Sequence, residues 1–271
     1  MDSEDTHQPR GTDDATATGP DALLDELVGP DTPAHGETGA PAAGGRPAEV
    51  RAIMVSALTG SAAVDGTSGG LGNDLDAALL AAVRQWADAV LVGAGTVRAE
   101  DYGPVCPDPD YTARRAARGQ AAAPVLAVLS GSLALDTSAR LFAACRAGAP
   151  GARPPLILTD SSGAASARAE TLRSAGAEVV DTGGGDVRAA VDTLVARGAR
   201  RIVCEGGPSL LGAEISADLI DVLYLTLSPV LSGAVEQPLV TGAETTARPM
   251  ELENLHRDAD STLFLRYRRR R

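Results

Sequence analysis

Lysine is absent: all 24 basic residues of the 271-residue chain are arginine. A pyridoxal phosphate Schiff base, a P-loop lysine and a lysine general base are therefore excluded. Of the three histidines, His7 and His35 lie in an acidic N-terminal stretch, which leaves His256 for the folded part. A zinc site built on two histidines is excluded there, and serine–histidine–aspartate catalysis would need His256.

Cysteines and long apolar runs are also scarce. Cys106, Cys145 and Cys204 are far apart and form no Cys-x-x-Cys pair, so we expect no metal site and no disulfide framework. Unpaired cysteines are typical of a reducing compartment, which predicts a cytoplasmic protein. No run of about 18 apolar residues occurs and the N-terminus does not resemble a signal peptide, so we expect no membrane contact.

The net charge of −12 is concentrated at the N-terminus. Residues 1–47 hold ten acidic residues against two arginines, with few large apolar side chains, which predicts a disordered acidic leader. Residues 21–28 are the exception within it, a short amphipathic segment that could form a helix docked on the body. Residues 48–271 are close to neutral, and they predict one domain with no nucleic-acid footprint.

From residue 49 onward, short apolar runs alternate with amphipathic stretches. This pattern predicts strands at 49–57, 89–92, 124–129, 156–159, 177–180, 201–204, 220–227 and 262–267, and helices at 74–86, 164–175 and 186–197. Residues 58–73 are rich in glycine and predict a mobile loop over a ligand, with a plain surface loop as the alternative. Residues 103–123 also predict a loop. The alternation predicts an α/β fold, in which helices cover both faces of a mainly parallel mixed sheet and the last strands are antiparallel at its edge.

Two glycine-bearing turns follow predicted buried strands, with the sequences Gly93-Ala94-Gly95-Thr96 and Glu205-Gly206-Gly207-Pro208-Ser209. Glycine permits left-handed backbone angles and close approach of a ligand, and the N–H groups that open the following helix favour an anion. Ligands bind at the carboxyl ends of strands in α/β sheets, so both turns are predicted to face one dinucleotide. Thr96 and Ser209 would donate hydroxyl groups to phosphate, and Arg98 would bind a 2′-phosphate. A plain strand-to-helix connection is the alternative.

Four segments together resemble the pyrimidine reductases of riboflavin biosynthesis, the reductase domain of the bifunctional deaminase–reductase, in its stand-alone actinobacterial form. They are residues 55–60 (VSALTG), 89–100 (AVLVGAGTVRAE), 204–211 (CEGGPSLL) and 225–233 (LTLSPVLSG). The resemblance implies a dihydrofolate-reductase-like fold, a homodimer and NADPH-dependent reduction of the ribosyl group of a pyrimidine ribosylamine 5′-phosphate. No deaminase zinc motif is present, so only the reductase half is implied.

The resemblance also implies roles for individual residues. Those expected at the cofactor are Gly93, Gly95, Thr96, Val97, Arg98, Gly206, Gly207, Ser209 and Leu210. Those expected on the substrate side are Ser56, Thr59 and Glu205. A proton donor is needed beside the hydride acceptor, and Glu205, Asp101 and Glu100 are the candidates. The alternative for Glu205 is an ion-paired residue at a strand end, and for the other two a solvated side chain.

The sequence departs from the family pattern on the substrate side. Relatives have Ser-Leu-Asp-Gly where this chain has Ala57-Leu58-Thr59-Gly60, and a polar residue usual upstream (Asn or Lys) is Ile53 here. Each lost hydrogen bond is worth about 0.5–1.5 kcal/mol. This pattern favours a changed substrate or a weakened enzyme, and the alternative function is a non-catalytic regulatory or partner subunit that keeps the fold.

Overall fold

The protein is described by a computed structural model over residues 19–30, 48–143, 153–244 and 247–270. In these residues one sheet has the strand order β5-β4-β3-β2-β6-β1-β7-β9-β8. Its strands are β1 (Glu49–Ala57), β2 (Ala89–Gly93), β3 (Val125–Leu129), β4 (Leu156–Thr159), β5 (Glu178–Asp181), β6 (Arg201–Cys204), β7 (Val222–Ser228), β8 (Met250–Arg257) and β9 (Leu263–Arg269). All neighbours from β5 across to β7 are parallel, whereas β9 pairs antiparallel with β7 and β8 antiparallel with β9. The predicted mainly parallel sheet with an antiparallel edge is confirmed.

Helices cover both faces of this sheet. They are α1 (Pro20–Val28), α2 (Asp74–Trp86), α3 (Ala94–Ala99), α4 (Pro109–Ala117), α5 (Ser161–Ala164), α6 (Ala167–Ser174), α7 (Val187–Ala196) and α8 (Pro208–Ser216). Val83 of α2 and Leu172 of α6 lie in one core, and Val191 of α7 lies in the other. The neighbours Val90 and Leu91 of β2 contribute to opposite cores, as side-chain alternation along a strand requires. None of the helices that the structure describes is long and apolar enough to cross a membrane.

Three segments differ from the sequence prediction. Residues 109–117, predicted as a loop, form α4 because the Asp108 side chain accepts the Asp110 N–H at 3.0 Å and Pro109 opens the first turn. The predicted helix at 164–175 is divided into α5 and α6, since Ser166 caps a new helix start. The strand β8 is missing from the prediction, because its residues are mostly exposed and show no apolar alternation.

Part of the predicted leader belongs to the folded domain. Residues 20–28 form α1, whose C-terminal carbonyls are bound by two arginines of the sheet. Arg51 donates to the carbonyls of Val28 and Pro30, both at 2.7 Å, and Arg266 donates to two carbonyls of the last turn. Positive groups at this end satisfy free carbonyls and complement the helix dipole. The segment that the sequence singled out as a possible docked helix thus forms α1, and residues 1–18 and 31–47 lie outside the described residues.

Candidate active site

A cleft of about 490 Å³ lies at the carboxyl ends of the central strands β1, β2 and β6. Its walls come from the end of β1, one face of α2, and the turns that follow β2 and β6. The sequence-predicted residues that line it are Gly93, Gly95, Thr96, Glu100, Asp101, Glu205, Gly207 and Ser209. The parallel sheet therefore brings the two glycine turns to one cavity.

The two turns are in direct contact. The Gly93 N–H donates to the Gly206 carbonyl at 3.3 Å. Gly206 and Gly207 have φ of 78° and 84°, a left-handed conformation that other residues rarely adopt. A Cβ on Gly207 would lie 2.6 Å from Thr96 Oγ1, and a Cβ on Gly206 would lie 2.5 Å from Met54 Sδ. Glycine at both positions is what allows the turns to close on each other.

The second turn opens the nine-residue helix α8, whose N-terminus has no side-chain cap. Pro208 lacks an N–H, and the N–H groups of Ser209 and Leu210 belong to the first turn, where no intrahelical acceptor exists. Ser209 also lines the cleft with its hydroxyl-bearing side chain. These donors, the helix dipole and the space beside Gly207 suit an anionic diphosphate.

A second cleft, of about 390 Å³, adjoins the first and shares Asp101 and Arg140 with it. Apolar side chains such as Phe142 line it together with Val97 and Arg98. Arg98 is exposed and donates to the carbonyl of Ala134 at 3.3 Å. Val97 and Arg98 therefore line this neighbouring cleft and not the first one, and the Arg140 guanidinium is shared by both clefts.

Glu205 forms the most tightly bonded polar group of the first cleft. Its side chain is 4% exposed, and Arg84 binds both carboxylate oxygens at 2.6 Å. The Tyr102 hydroxyl donates to the same carboxylate and accepts from Arg84 at 2.7 Å. Burial raises the pKa of Glu205, and the hydrogen bonds and charge of Arg84 oppose that rise. The ion-paired interpretation of Glu205 therefore holds, with the pair itself forming part of the cleft wall.

The other two predicted acids differ in position. The side chain of Asp101 is 64% exposed at the mouth of the cleft, 3.9 Å from Arg140, and its φ of 42° is left-handed. Glu100 accepts the backbone N–H of Ser68 at 2.9 Å, which ties the glycine-rich loop to the cleft wall. Neither carboxylate is enclosed in the way that Glu205 is.

Four predicted site residues, Gly206 among them, do not line either cleft. Ser56 is buried, and its hydroxyl donates to the Ala57 carbonyl at 2.8 Å. The Thr59 hydroxyl bonds to Ser232 on an exposed loop. The Leu210 side chain is buried in the core beneath Gly93. The side chains of Ser56 and Thr59 therefore face away from the site predicted for them.

One face of α2 supplies cleft residues that the sequence reasoning missed. Asp76, Leu80 and Arg84 all line the cleft, and residues spaced by four share one face of a helix. The same spacing was available in the sequence, but the apolar residues beside them dominated the pattern. Tyr102 is also unpredicted, because its partner Glu205 is 103 residues away in the chain.

An α/β sheet with a cleft at its carboxyl edge, two glycine turns and an uncapped helix start is typical of nucleotide-binding proteins. The sequence model of the RibD C-terminal domain family matches residues 49–264. The chain belongs to this family, which comprises the oxidoreductases known as pyrimidine reductases of riboflavin biosynthesis. The resemblance noted from the sequence is thereby confirmed.

Individual relatives agree with this assignment. The chain is 34% identical to a pyrimidine reductase-like protein from Corynebacterium diphtheriae, with a TM-score of 0.74 over 83% of this chain and 92% of that one. It is 24% identical over 175 residues to the 2,5-diamino-6-ribosylamino-4(3H)-pyrimidinone 5′-phosphate reductase of Archaeoglobus fulgidus, covering 65% of this chain and 77% of that one. A deaminase/reductase from Thermotoga maritima shares the fold, with a TM-score of 0.62 and 20% identity, and the chain spans 57% of its length.

Proposed function

We propose that the protein is an NADPH-dependent reductase of a pyrimidine ribosylamine phosphate of riboflavin biosynthesis, or of a related small imine or carbonyl compound. Family membership supports a reductase. The observation that supports a cofactor site is the contact between the two glycine turns. This contact places backbone N–H groups and two hydroxyl groups beside Gly207, where there is no space for any other residue.

The residues that would hold the cofactor follow from this geometry. Ser209, the first turn of α8 and Thr96 would bind the diphosphate. Arg98 and Arg140, which line the second cleft, would bind a 2′-phosphate and so favour NADPH over NADH. When bound, the cofactor supplies a hydride. The cleft walls would orient the hydride acceptor against the cofactor and exclude water.

The Glu205–Arg84–Tyr102 cluster would act on the substrate side. Because each member is held by the other two, the cluster presents a fixed polar wall next to the diphosphate turn. We assign Glu205 to substrate positioning. Asp101 is largely exposed at the mouth of the cleft, so we assign it to the entrance and not to proton transfer.

Binding of the cofactor is the first test. Titration with NADPH and NADH, followed by thermal stabilisation and by quenching of protein fluorescence, should give saturable binding that is tighter for NADPH. Ser209→Ala should weaken the binding of both NADPH and NADH. Ser216→Ala, at the other end of α8, serves as the control and should leave binding unchanged. Absence of any response to millimolar NADPH would contradict the proposal and favour a non-catalytic subunit.

We also propose a cytoplasmic homodimer. Support comes from the sequence resemblance and from Cys106 and Cys204, which form no disulfide in the described part of the chain. Sedimentation equilibrium of the purified protein should give twice the mass of 27.5 kDa. A monomer at micromolar concentration would contradict the dimer without affecting the cofactor site.

A further inference from the structure

A carboxyl group of the cleft remains unused by the function proposed above. Asp76 lies in the first turn of α2 and lines the cleft. Glu205 is bound by Arg84 and Tyr102, and Glu100 accepts from Ser68. In the described part of the chain, the Asp76 carboxyl has no arginine partner. Its two oxygens are therefore available to a ligand.

The surroundings of Asp76 fix its carboxyl in the cleft. The buried Thr226 of β7 lies next to it, and the Thr226 hydroxyl has no hydrogen-bond partner in the described part of the chain. A Cβ on Gly72 would lie 2.6 Å from Asp76 Oδ2, so glycine at position 72 leaves the space that the carboxyl occupies. The backbone N–H of Asp76 donates to the Asn73 cap at 3.0 Å. The helix cap thus fixes the backbone of Asp76, and Gly72 leaves room for its carboxyl.

The charge state of Asp76 follows from the groups around it. Burial raises the pKa of Asp76, and the Thr226 hydroxyl acts in the opposite direction. The other charged groups near this end of α2 are Asp74 on the helix, and Asp258 and Asp260, which accept hydrogen bonds from Asn73. Further along the wall lie Arg84 and the acids already described. The first turn of a helix favours negative charge, and this stabilises the carboxylate form of Asp76.

We propose that Asp76 binds the edge of the substrate's pyrimidine ring and selects a 2-amino-4-oxopyrimidine over a 2,4-dioxopyrimidine. This inference rests on the proposed function. A carboxylate offers two acceptors, which match the amino group and the ring N–H of the 2-amino-4-oxo edge. The dioxo edge has one N–H between two carbonyl oxygens, and the second carboxylate oxygen then meets an acceptor.

The length of the wall agrees with this assignment. Asp76 and Arg84 are eight residues apart on α2, which is about 12 Å along the helix axis. Arg84 lies beside Glu205 and the diphosphate turn. A substrate whose sugar phosphate lies toward Arg84 would therefore extend its pyrimidine ring toward Asp76.

The test compares two substrates and three variants. The substrates are 2,5-diamino-6-ribosylamino-4(3H)-pyrimidinone 5′-phosphate and 5-amino-6-(5-phosphoribosylamino)uracil. Asp76→Asn presents one donor and one acceptor, which match the dioxo edge. This variant should therefore lower kcat/KM for the diamino substrate roughly 10- to 100-fold, mainly by raising KM. It should also reverse the preference, so that the uracil substrate is favoured. Gly72→Ala, which displaces the carboxyl and keeps its charge, should also lower kcat/KM for the diamino substrate. Asp74→Asn, exposed on the same helix turn, should leave it unchanged.

A binding measurement without cofactor separates the two proposals. Calorimetry with the two ribitylamino products should show tighter binding of the diamino compound to the wild-type protein, with affinity falling as the pH drops through the pKa of Asp76. Asp76→Asn should remove this pH dependence. Equal binding of both products by the wild-type protein, or equal effects of Asp76→Asn and Asp74→Asn, would overturn the inference. Turnover of the uracil substrate alone would overturn it while leaving the reductase assignment intact.

Discussion

Replacing Arg84 by methionine should strongly destabilise the fold. Glu205 is 4% exposed, and its carboxylate receives both of its cationic hydrogen bonds from Arg84 at 2.6 Å. Removing the cation leaves a buried carboxylate with the Tyr102 hydroxyl as a donor. Loss of one partner from a buried pair costs about 3–5 kcal/mol. Since Arg84 retains 28% side-chain exposure, water can partly replace it, and we expect the lower end of this range.

The pH dependence of this variant has a defined sign. Arg84 opposes the rise that burial causes in the pKa of Glu205, so its removal raises that pKa further. A carboxyl with a higher pKa in the folded state binds more protons there than in the unfolded state. The free energy of unfolding of Arg84→Met should therefore fall as pH rises from the unfolded pKa to the folded one, and stay low above it. The slope should exceed that of the wild type.

Urea unfolding followed by circular dichroism and by the single tryptophan, Trp86, measures these changes. The matched control is Arg197→Met, which breaks an ion pair of the same 2.6 Å length between side chains that are 43% and 47% exposed. An exposed pair contributes about 0–1 kcal/mol. The double variant Arg84→Met/Glu205→Gln should recover part of the lost free energy of unfolding and remove the added dependence on pH. Equal losses in Arg84→Met and Arg197→Met would refute the reasoning.

Three further outcomes are expected. Gly207→Ala should weaken NADPH binding at least tenfold, because its Cβ meets Thr96 Oγ1 at 2.6 Å, whereas Gly198→Ala, with a φ of 97° and open space around it, should cost only stability. Arg98→Ala should raise the Kd for NADPH and leave that for NADH unchanged in calorimetric titrations; equal effects would remove Arg98 from the 2′-phosphate site. Arg51→Met should expose α1 to limited proteolysis and cost about 1–3 kcal/mol through unpaired carbonyls, whereas Arg114→Met, which breaks an exposed pair with Asp25, should do neither.

Local chemistry made the two glycine turns predictable from the sequence. Short apolar strands that break into paired glycines indicate a turn, and the φ angles of Gly206 and Gly207 show why no other residue would serve there. The central parallel strands are predictable for a similar reason, because their continuous apolar runs have no role other than burial.

The cleft wall formed by α2 and Glu205 depends on contacts that local patterns do not contain. Arg84 and Glu205 are 121 residues apart, and Arg51 reaches the end of α1 across 23 residues. Asp76 lies next to Thr226 on a distant strand. A charged residue on an amphipathic helix is usually solvated, so no local pattern indicates that Asp76 and Arg84 lie against a cleft. The edge strand β8 could not be predicted from apolar patterning, because most of its residues are exposed.

Transfer of deuterium from C4-deuterated NADPH tests the central claim most directly. The protein is mixed with the labelled cofactor and each of the two pyrimidine ribosylamine phosphates, and the product is analysed by mass spectrometry. The account predicts one deuterium on the sugar carbon that bears the nitrogen, with a rate that falls sharply in Gly207→Ala and is retained in Gly198→Ala. Saturable NADPH binding with no deuterium in any product would contradict the reductase assignment.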